Sequence, residues 1–416
     1  MKMTCSFCGK EYGEGDITLF RAEANSDLLI CTNCIDACNS ALEDAMIMNK
    51  STDFIDEVDS IKPSAMKKHF DDYIINQDNA KKKIAVAVYN HYKRCFYNEN
   101  VAVNKDDIKL KKSNLLMVGP SGSGKTLFVE TIAKKIGIPY VIQDSTSLTQ
   151  SGYVGDDPEV LLKKLIENAN GDVKKAEKGI VFLDEIDKIG RKGENVSITR
   201  DVGGEGVQQA LLKMLEGSIV SVPMTGNRKH PSQECYQIDT SNILFICGGA
   251  FEGIEKIIGK RINKKSKVGF ATETSETTNK DNYNELIAQI TPKDLRKFGM
   301  MPELLGRLPI ICPIEELNRD ALVKILTEPV DSIIKQFTIM FEMDGIELVF
   351  TKECLEAIAD KAIKSGTGAR ALRSIIEDLM TECMFNVPDM KVSKVILTDK
   401  CVTGEEEPTY EYQEVS

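Results

Sequence analysis

The sequence predicts an α/β protein in three parts: a small cysteine-rich unit, a large domain on a mainly parallel sheet, and a small α-rich domain. Three observations carry this. Five short apolar runs, Leu115–Val118, Tyr140–Ile142, Ile180–Leu183, Ile243–Cys247 and Ile310–Cys312, are separated by helix-like stretches. Continuous apolar runs are what strands buried on both faces show, and helical crossovers are what parallel strands require. Of the 12 cysteines, Cys5, Cys8, Cys31, Cys34 and Cys38 crowd into the N-terminal unit. Beyond Glu315 the pattern turns helical, with one strand at 346–350.

The first unit, residues 1–48, carries Cys5-x2-Cys8 and Cys31-x2-Cys34, separated by 22 residues. Each knuckle puts two thiolates on one side of a tight turn. Two knuckles complete a closed four-sulfur shell of the structural zinc type. A redox pair is the competing reading. Cys38 is surplus and is expected outside the shell. So small a unit has little core, so zinc is expected to supply much of its folding energy. Residues 49–62 follow, acidic and without periodicity, and read as a solvated linker. The remaining cysteines are scattered, often inside apolar stretches as Cys247 is, and read as reduced core residues.

The large domain is expected over 63–314. Before its first strand a helix is legible, with Asp78 as its cap and Ile84, Ala87, Val88, His91, Tyr92 and Cys95 on one stripe. His91 on that stripe reads as a packed or hydrogen-bonded residue. After the strand 115–118 comes Gly119-Pro120-Ser121-Gly122-Ser123-Gly124-Lys125-Thr126. This is G-x-x-x-x-G-K-[ST] in the strand-to-helix setting it requires. Its glycines let backbone N–H groups close around a phosphate at a positive helix end. Lys125 reaches the β- and γ-oxygens, and Thr126 binds Mg²⁺. The strand 180–183 runs into Asp184-Glu185, at the sheet edge where such folds bind ligands. Asp184 is expected to hold Mg²⁺ through water, and Glu185 to polarise the attacking water. Asp187 reads as solvated or structural. Polar stretches at 98–114, 191–205 and 271–284 read as surface loops. In-line phosphoryl transfer also needs positive charge at the γ-phosphate; Arg307 and Arg370 are the late-sequence candidates.

The small domain is expected over 315–400, and 401–416, with five glutamates and no basic residue after 401, as an acidic disordered tail. No apolar run approaches the ~20 residues a membrane span needs, and the opening residues lack the apolar core of a signal peptide. A cytoplasmic protein is the expectation, with no membrane partner. The formal net charge of −11 disfavours non-specific nucleic-acid binding.

The four cysteines, the phosphate loop and Asp184-Glu185, with the strings Ala85–Arg94, Gly204–Lys213, Arg228–Pro231 and Gly368-Ala369-Arg370, resemble the ClpX family of zinc-finger-bearing AAA+ unfoldases along nearly the whole chain. The resemblance implies an AAA+ P-loop domain. It also implies an ATP-, Mg²⁺- and Zn²⁺-dependent homohexamer that threads proteins bearing unstructured tags through a central pore into a ClpP-type peptidase. Adaptors would dock on the zinc domain. Tyr153 and Val154 match the first pore loop, Arg200 the second, and Arg228, Lys229 and His230 the basic loop at the pore entrance. Arg307 matches the arginine finger that reaches a neighbour's nucleotide, Arg370 the sensor arginine, and adenine would lie near Ile74 and Ile75. Val268, Gly269 and Phe270 match the peptidase-docking loop, with Val where the family typically has Ile. Asn76 stands where the family usually has glycine. The strand 243–247 ends without the polar side chain many AAA+ proteins place there. Alternatives are a remodelling chaperone acting without a peptidase, a zinc-dependent adaptor using nucleotide as a switch, and a DNA-loading ATPase.

Overall fold

The computed structural model describes residues 3–12, 19–21, 28–39, 61–100, 108–149, 156–190, 204–224, 234–266 and 283–412. It divides into two compact units, Met1–Ser60 with Phe96–Lys109, and Ile61–Cys95 with Leu110–Ser416.

In the first unit β1 (Met3–Thr4) pairs antiparallel with β2 (Glu11–Tyr12), and β3 (Leu19–Arg21) with β4 (Leu29–Cys31). A helix covers 32–39. Among the described residues of 1–60, Cys5 and Cys31 alone are buried, while Phe7, Phe20 and Leu28 are exposed. Apolar burial of that size cannot offset chain entropy.

The second unit contains, in chain order, β5 (Leu115–Val118), β6 (Tyr140–Asp144), β7 (Ile180–Asp184), β8 (Ile219–Pro223), β9 (Cys235–Asp239), β10 (Leu244–Gly249) and β11 (Ile310–Pro313). Five of them form an all-parallel sheet in the order β11-β5-β10-β7-β6. Alternate residues serve opposite faces, as the strand pleat demands. Leu116, Val118, Val181, Leu183, Phe245 and Cys247 enter one core. Leu115, Met117, Ile180, Phe182, Leu244 and Ile246 enter the other. Both faces are covered by helices, which is why these strands read as unbroken apolar runs. The fourth apolar run begins one residue later than expected, at Leu244, because Ile243 ends a 3₁₀ turn. The antiparallel hairpin β8–β9 was not legible: Ile219 is exposed and Ser221 and Gln237 face one another, so the apolar pattern is diluted.

The helix Asp78–Asn100 carries the expected stripe. Asp78 is its first residue, and its carboxylate pairs with Lys67 at 3.0 Å. His91 is buried and its Nε2 donates to the Asn242 carbonyl at 2.9 Å. Burial pushes its pKa down to about 3, so it is a neutral structural residue.

The C-terminal part has its own core around Leu322, Phe337, Leu348, Ile358, Leu372, Met380 and Val395. It holds a sheet where one strand was expected: β12 (Glu347–Phe350) runs parallel to β13 (Val392–Leu397), which pairs antiparallel with β14 (Thr409–Tyr412). The expected tail therefore includes folded chain. Cys401 and Val402 are buried in the helix Asp399–Thr403, and Tyr410 Oη donates to Cys383 Sγ at 3.9 Å. Charge counting misled because Glu405, Glu406, Glu407 and Glu411 are exposed while Cys401, Val402 and Tyr410 pack on the small-domain core. Cys247, Cys312, Cys354 and Cys383 are free and buried as expected; burial pushes the first three thiols up to about 12. Among the described residues no helix is long and apolar enough to cross a membrane.

Candidate active site and metal centre

The phosphate loop leaves the end of β5 and enters the helix Lys125–Ile136, whose N-cap is Gly124 with φ 90° and no capping side chain. First-turn N–H groups of such a helix have no side-chain acceptor and suit an anion. Lys125 Nζ donates to the Gly119 and Pro120 carbonyls, both at 2.8 Å, arching over the loop. Ser123 Oγ closes the same turn on Pro120 at 2.7 Å. Burial draws the Lys125 ammonium below the ordinary lysine range, opposed by the negative charge of Asp184, Asp187 and Glu185. A buried lysine aimed at carbonyls and facing carboxylates is a cation held ready for a more negative partner.

Two glycines of the loop are required by what they touch. A Cβ on Gly119 would lie 2.4 Å from the Ile314 carbonyl oxygen, just past β11. One on Gly122, whose φ is +75°, would lie 2.4 Å from the Thr367 carbonyl oxygen. The loop is thus pressed against the small domain where it starts the helix Arg370–Asn386. From that helix end Arg370 Nη2 comes within 4.0 Å of Asp184 Oδ2. Sequence positions 119–126, 184 and 370 converge on one locus.

Asp184 closes β7 and is fixed from both sides. Ser145 Oγ donates to its carbonyl at 2.6 Å, and its Oδ1 accepts the Glu185 N–H at 2.9 Å. Glu185 takes φ 55°, a left-handed conformation that costs a non-glycine residue of order 1 kcal/mol and turns the chain sharply out of the sheet. Asp187, expected as solvated or structural, is fully buried: Oδ1 accepts the Ala250 N–H at 3.1 Å, and Oδ2 has no partner among the described residues. It explains the bare strand end noted in the sequence. A Cβ on Gly249 would meet Asp187 Oδ1 at 2.6 Å, and one on Gly248 would meet the Phe182 ring at 2.7 Å. The place of a side chain is taken, and Gly249 instead accepts the Gly119 N–H at 3.2 Å through its carbonyl. Ser145 is not singled out by the sequence, and Asp187 only as a solvated or structural acid, because a serine after a strand and an acid in a turn are individually commonplace. The Gly248-Gly249 pair ending a buried strand was the available signal.

Ile74 and Ile75 are buried in the turn after the helix Pro63–Tyr73. Asn76 and Gln77 both take left-handed conformations, φ 55° and 63°, so Asn76 makes the turn for which glycine is usual. Gln77 pairs in both directions with the Glu315 backbone at 2.9 Å, tying this turn to the residue after Ile314. Arg307 is not drawn to this locus. It is half exposed, and its Nε and Nη2 donate to Glu216 Oε1 at 3.0 and 2.7 Å. Tyr153, Val154, Arg200, Arg228, Lys229, His230, Val268, Gly269 and Phe270 lie outside the described residues.

In the first unit the Sγ atoms of Cys5, Cys8, Cys31 and Cys34 all lie within 4.8 Å of one another. Cys5 and Cys34 are 4.0 Å apart, and Cys8 and Cys31 3.9 Å. Four sulfurs at ~2.3 Å from one tetrahedral ion are separated by roughly 3.8 Å, so this donor set fits zinc. Cys38 is not one of the group. Backbone N–H groups, that of Cys8 foremost, hold the Cys5 thiol down to about 6, while burial raises Cys34 to about 12.

Comparison with known proteins adds the following. A family model described as the AAA domain (Cdc48 subfamily) matches residues 110–311. A model described as the C-terminal, D2-small domain of ClpB protein matches residues 317–389. The ATP-dependent Clp protease ATP-binding subunit ClpX of Treponema denticola is 48% identical over 403 residues, spanning 97% of this chain and 94% of that one.

Proposed function

The chain belongs to the ClpX family of ATP-binding subunits of the Clp protease and is an AAA+ ATPase, and on that premise we propose that it unfolds tagged proteins and feeds them to a ClpP-type peptidase. The convergence of Lys125, Asp184 and Arg370 on one phosphate loop is the observation that carries the hydrolytic part. The shared length with the Treponema denticola protein supports the rest.

In this reading residues 119–126 hold ATP, with Ile74 and Ile75 beside the adenine. Lys125 leaves its own loop carbonyls for the β- and γ-oxygens. Thr126 and Asp184 hold Mg²⁺, which when bound neutralises charge on those oxygens. Glu185 takes the proton of the attacking water. Its left-handed backbone aims it away from the sheet while Asp184 Oδ1 fixes its N–H. Arg370 adds positive charge to the γ-phosphate from the small domain. Because the loop and residues 367–370 are in van der Waals contact, loss of that phosphate changes the seating of the small domain. Arg307 serves a neighbouring subunit in a homohexamer, leaving Glu216 to do so. An exposed ion pair of this kind is worth about 1 kcal/mol or less, so its release costs little. Tyr153, Val154, Arg200, Arg228, Lys229 and His230 grip substrate, and Val268, Gly269 and Phe270 dock the peptidase. The zinc unit receives adaptors.

The test is ATP-dependent loss of fluorescence from a stably folded reporter carrying one of several unstructured tags, with ATP turnover measured in parallel. Wild type should unfold it; Tyr153→Ala should hydrolyse ATP without unfolding it. Turnover by both with unfolding by neither would remove the pore assignment. Peptidase-coupled degradation unaffected by Phe270→Ala would show the docking assignment to be wrong.

A further inference from the structure

The turn after Asp184 is a compact strap. Ile186 N–H donates to the Gly248 carbonyl at 2.9 Å, Lys188 N–H to Glu185 at 2.9 Å, and Gly190 N–H to Asp187 at 3.2 Å. Its far end meets the approach to the helix Pro302–Arg307. A Cβ on Gly190 would lie 3.0 Å from Met300 Sδ and 3.6 Å from the Gly299 carbonyl carbon. One side chain joins the two segments. Gln208, buried in the helix Glu205–Glu216, donates from Nε2 to the Ile189 carbonyl at 2.9 Å. Its Oε1 accepts the Met301 N–H, also at 2.9 Å. Met301 is the N-cap of the helix that ends in Arg307. At the other end of the Gln208 helix, Glu216 holds the Arg307 guanidinium, and Asn114 Nδ2 donates to the Leu215 and Arg307 carbonyls at 3.1 and 2.9 Å.

The geometry points to Gln208 as a positioning residue for ATP hydrolysis, the link through which the strap behind Glu185 sets the placement of the helix that carries Arg307. A primary amide is the uncharged side chain that offers a donor and an acceptor on one planar end. Here it meets one backbone acceptor and one backbone donor from two separate segments. The bond to Ile189 is buried and the bond to Met301 partly so, and the amide that makes them is itself buried, so losing either leaves a buried polar group of Gln208 short of a partner. A shift of the strap with nucleotide state must therefore carry Met301 with it or break a bond. The same nucleotide site thereby influences the arginine its own subunit offers to the next. This rests on the assignment of Glu185 and Arg307 above.

The full-length protein, with single-turnover phosphate release from saturating ATP, gives the test. Gln208→Met should slow release about tenfold while the dissociation constant for ATP stays within about twofold. Arg307→Ala should slow it by about 10³-fold or more. If Gln208 acts through Arg307, Gln208→Met/Arg307→Ala should match Arg307→Ala within about twofold. Gln208→Glu keeps the acceptor for Met301 and can donate to Ile189 only when protonated, so its rate relative to wild type should recover as pH is lowered. A further tenfold loss in the double variant, or wild-type release by Gln208→Met, would overturn the inference. An Arg307→Ala protein releasing phosphate at the wild-type rate would instead overturn the arginine assignment on which it rests.

Discussion

Glu185 is the residue in which backbone and chemistry are most tightly bound together. Its φ of 55° is unfavourable for a side chain with a Cβ, and its neighbours hold it there: Asp184 Oδ1 on its N–H, and its own carbonyl accepting Lys188 N–H. Glutamine keeps the shape and hydrogen-bonding length but is no base. Glu185→Gln is therefore expected to bind ATP with unchanged affinity and to turn over roughly 10²–10⁴-fold more slowly. Equilibrium nucleotide binding and steady-state phosphate release measure the two separately. His91 shows the converse at the same scale. A titratable side chain with ligand chemistry is committed to a carbonyl and kept neutral by burial, which its helical stripe already indicated.

At the scale of the element, the helix Pro292–Phe298 illustrates how a polar terminus is made to survive in a core. Thr291 and Asp294 form a capping box, and Asp294, with no exposed side-chain surface, is bound by Arg261 Nε at 2.9 and 3.1 Å. Burial alone would raise the Asp294 pKa; the Thr291 hydrogen bonds and Arg261 outweigh it and hold the carboxyl below the usual range. A depressed folded pKa means that this contribution is present above the unfolded value of about 3.9 and fades as pH falls through the lowered folded value. Arg261→Met leaves the carboxylate buried with Thr291 alone and should cost about 3 kcal/mol. Thermal melts across the acid range check this: the variant should melt lower at neutral pH, with the gap narrowing in acid. A constant gap would show that Arg261 acts by packing rather than charge.

For the whole molecule, the C-terminal segment has consequences that its acidity concealed. β14 covers one edge of β13, and Tyr410 packs on the small-domain core. Removing residues 405–416 should uncover that edge and the Cys383 region. The result would be a lower melting temperature and a tendency to associate through the freed strand. Light scattering and thermal melts of the truncated chain measure both effects; a disordered tail would change neither. The zinc unit stands apart in its energetics. Cys5 and Cys31 are its only buried residues among those described in 1–60, and the four sulfurs that hold them together are a donor set that fits an ion.

The sequence by itself determined the parallel sheet, the phosphate loop, the Asp184-Glu185 strand end and the four-cysteine group. Each is a local signal: an apolar run buried on two faces, or a spacing that chemistry fixes within a few residues. Only the tertiary structure decided that Arg370 reaches Asp184, that Gly122 is reserved for Thr367, that Asp187 fills the bare end of β10, and that Gln208 ties Ile189 to Met301. These are contacts between segments tens to hundreds of residues apart, made by residue types common on any surface. Their meaning comes from burial, which turns an ordinary amide or carboxylate into a group whose partners must be supplied by the fold.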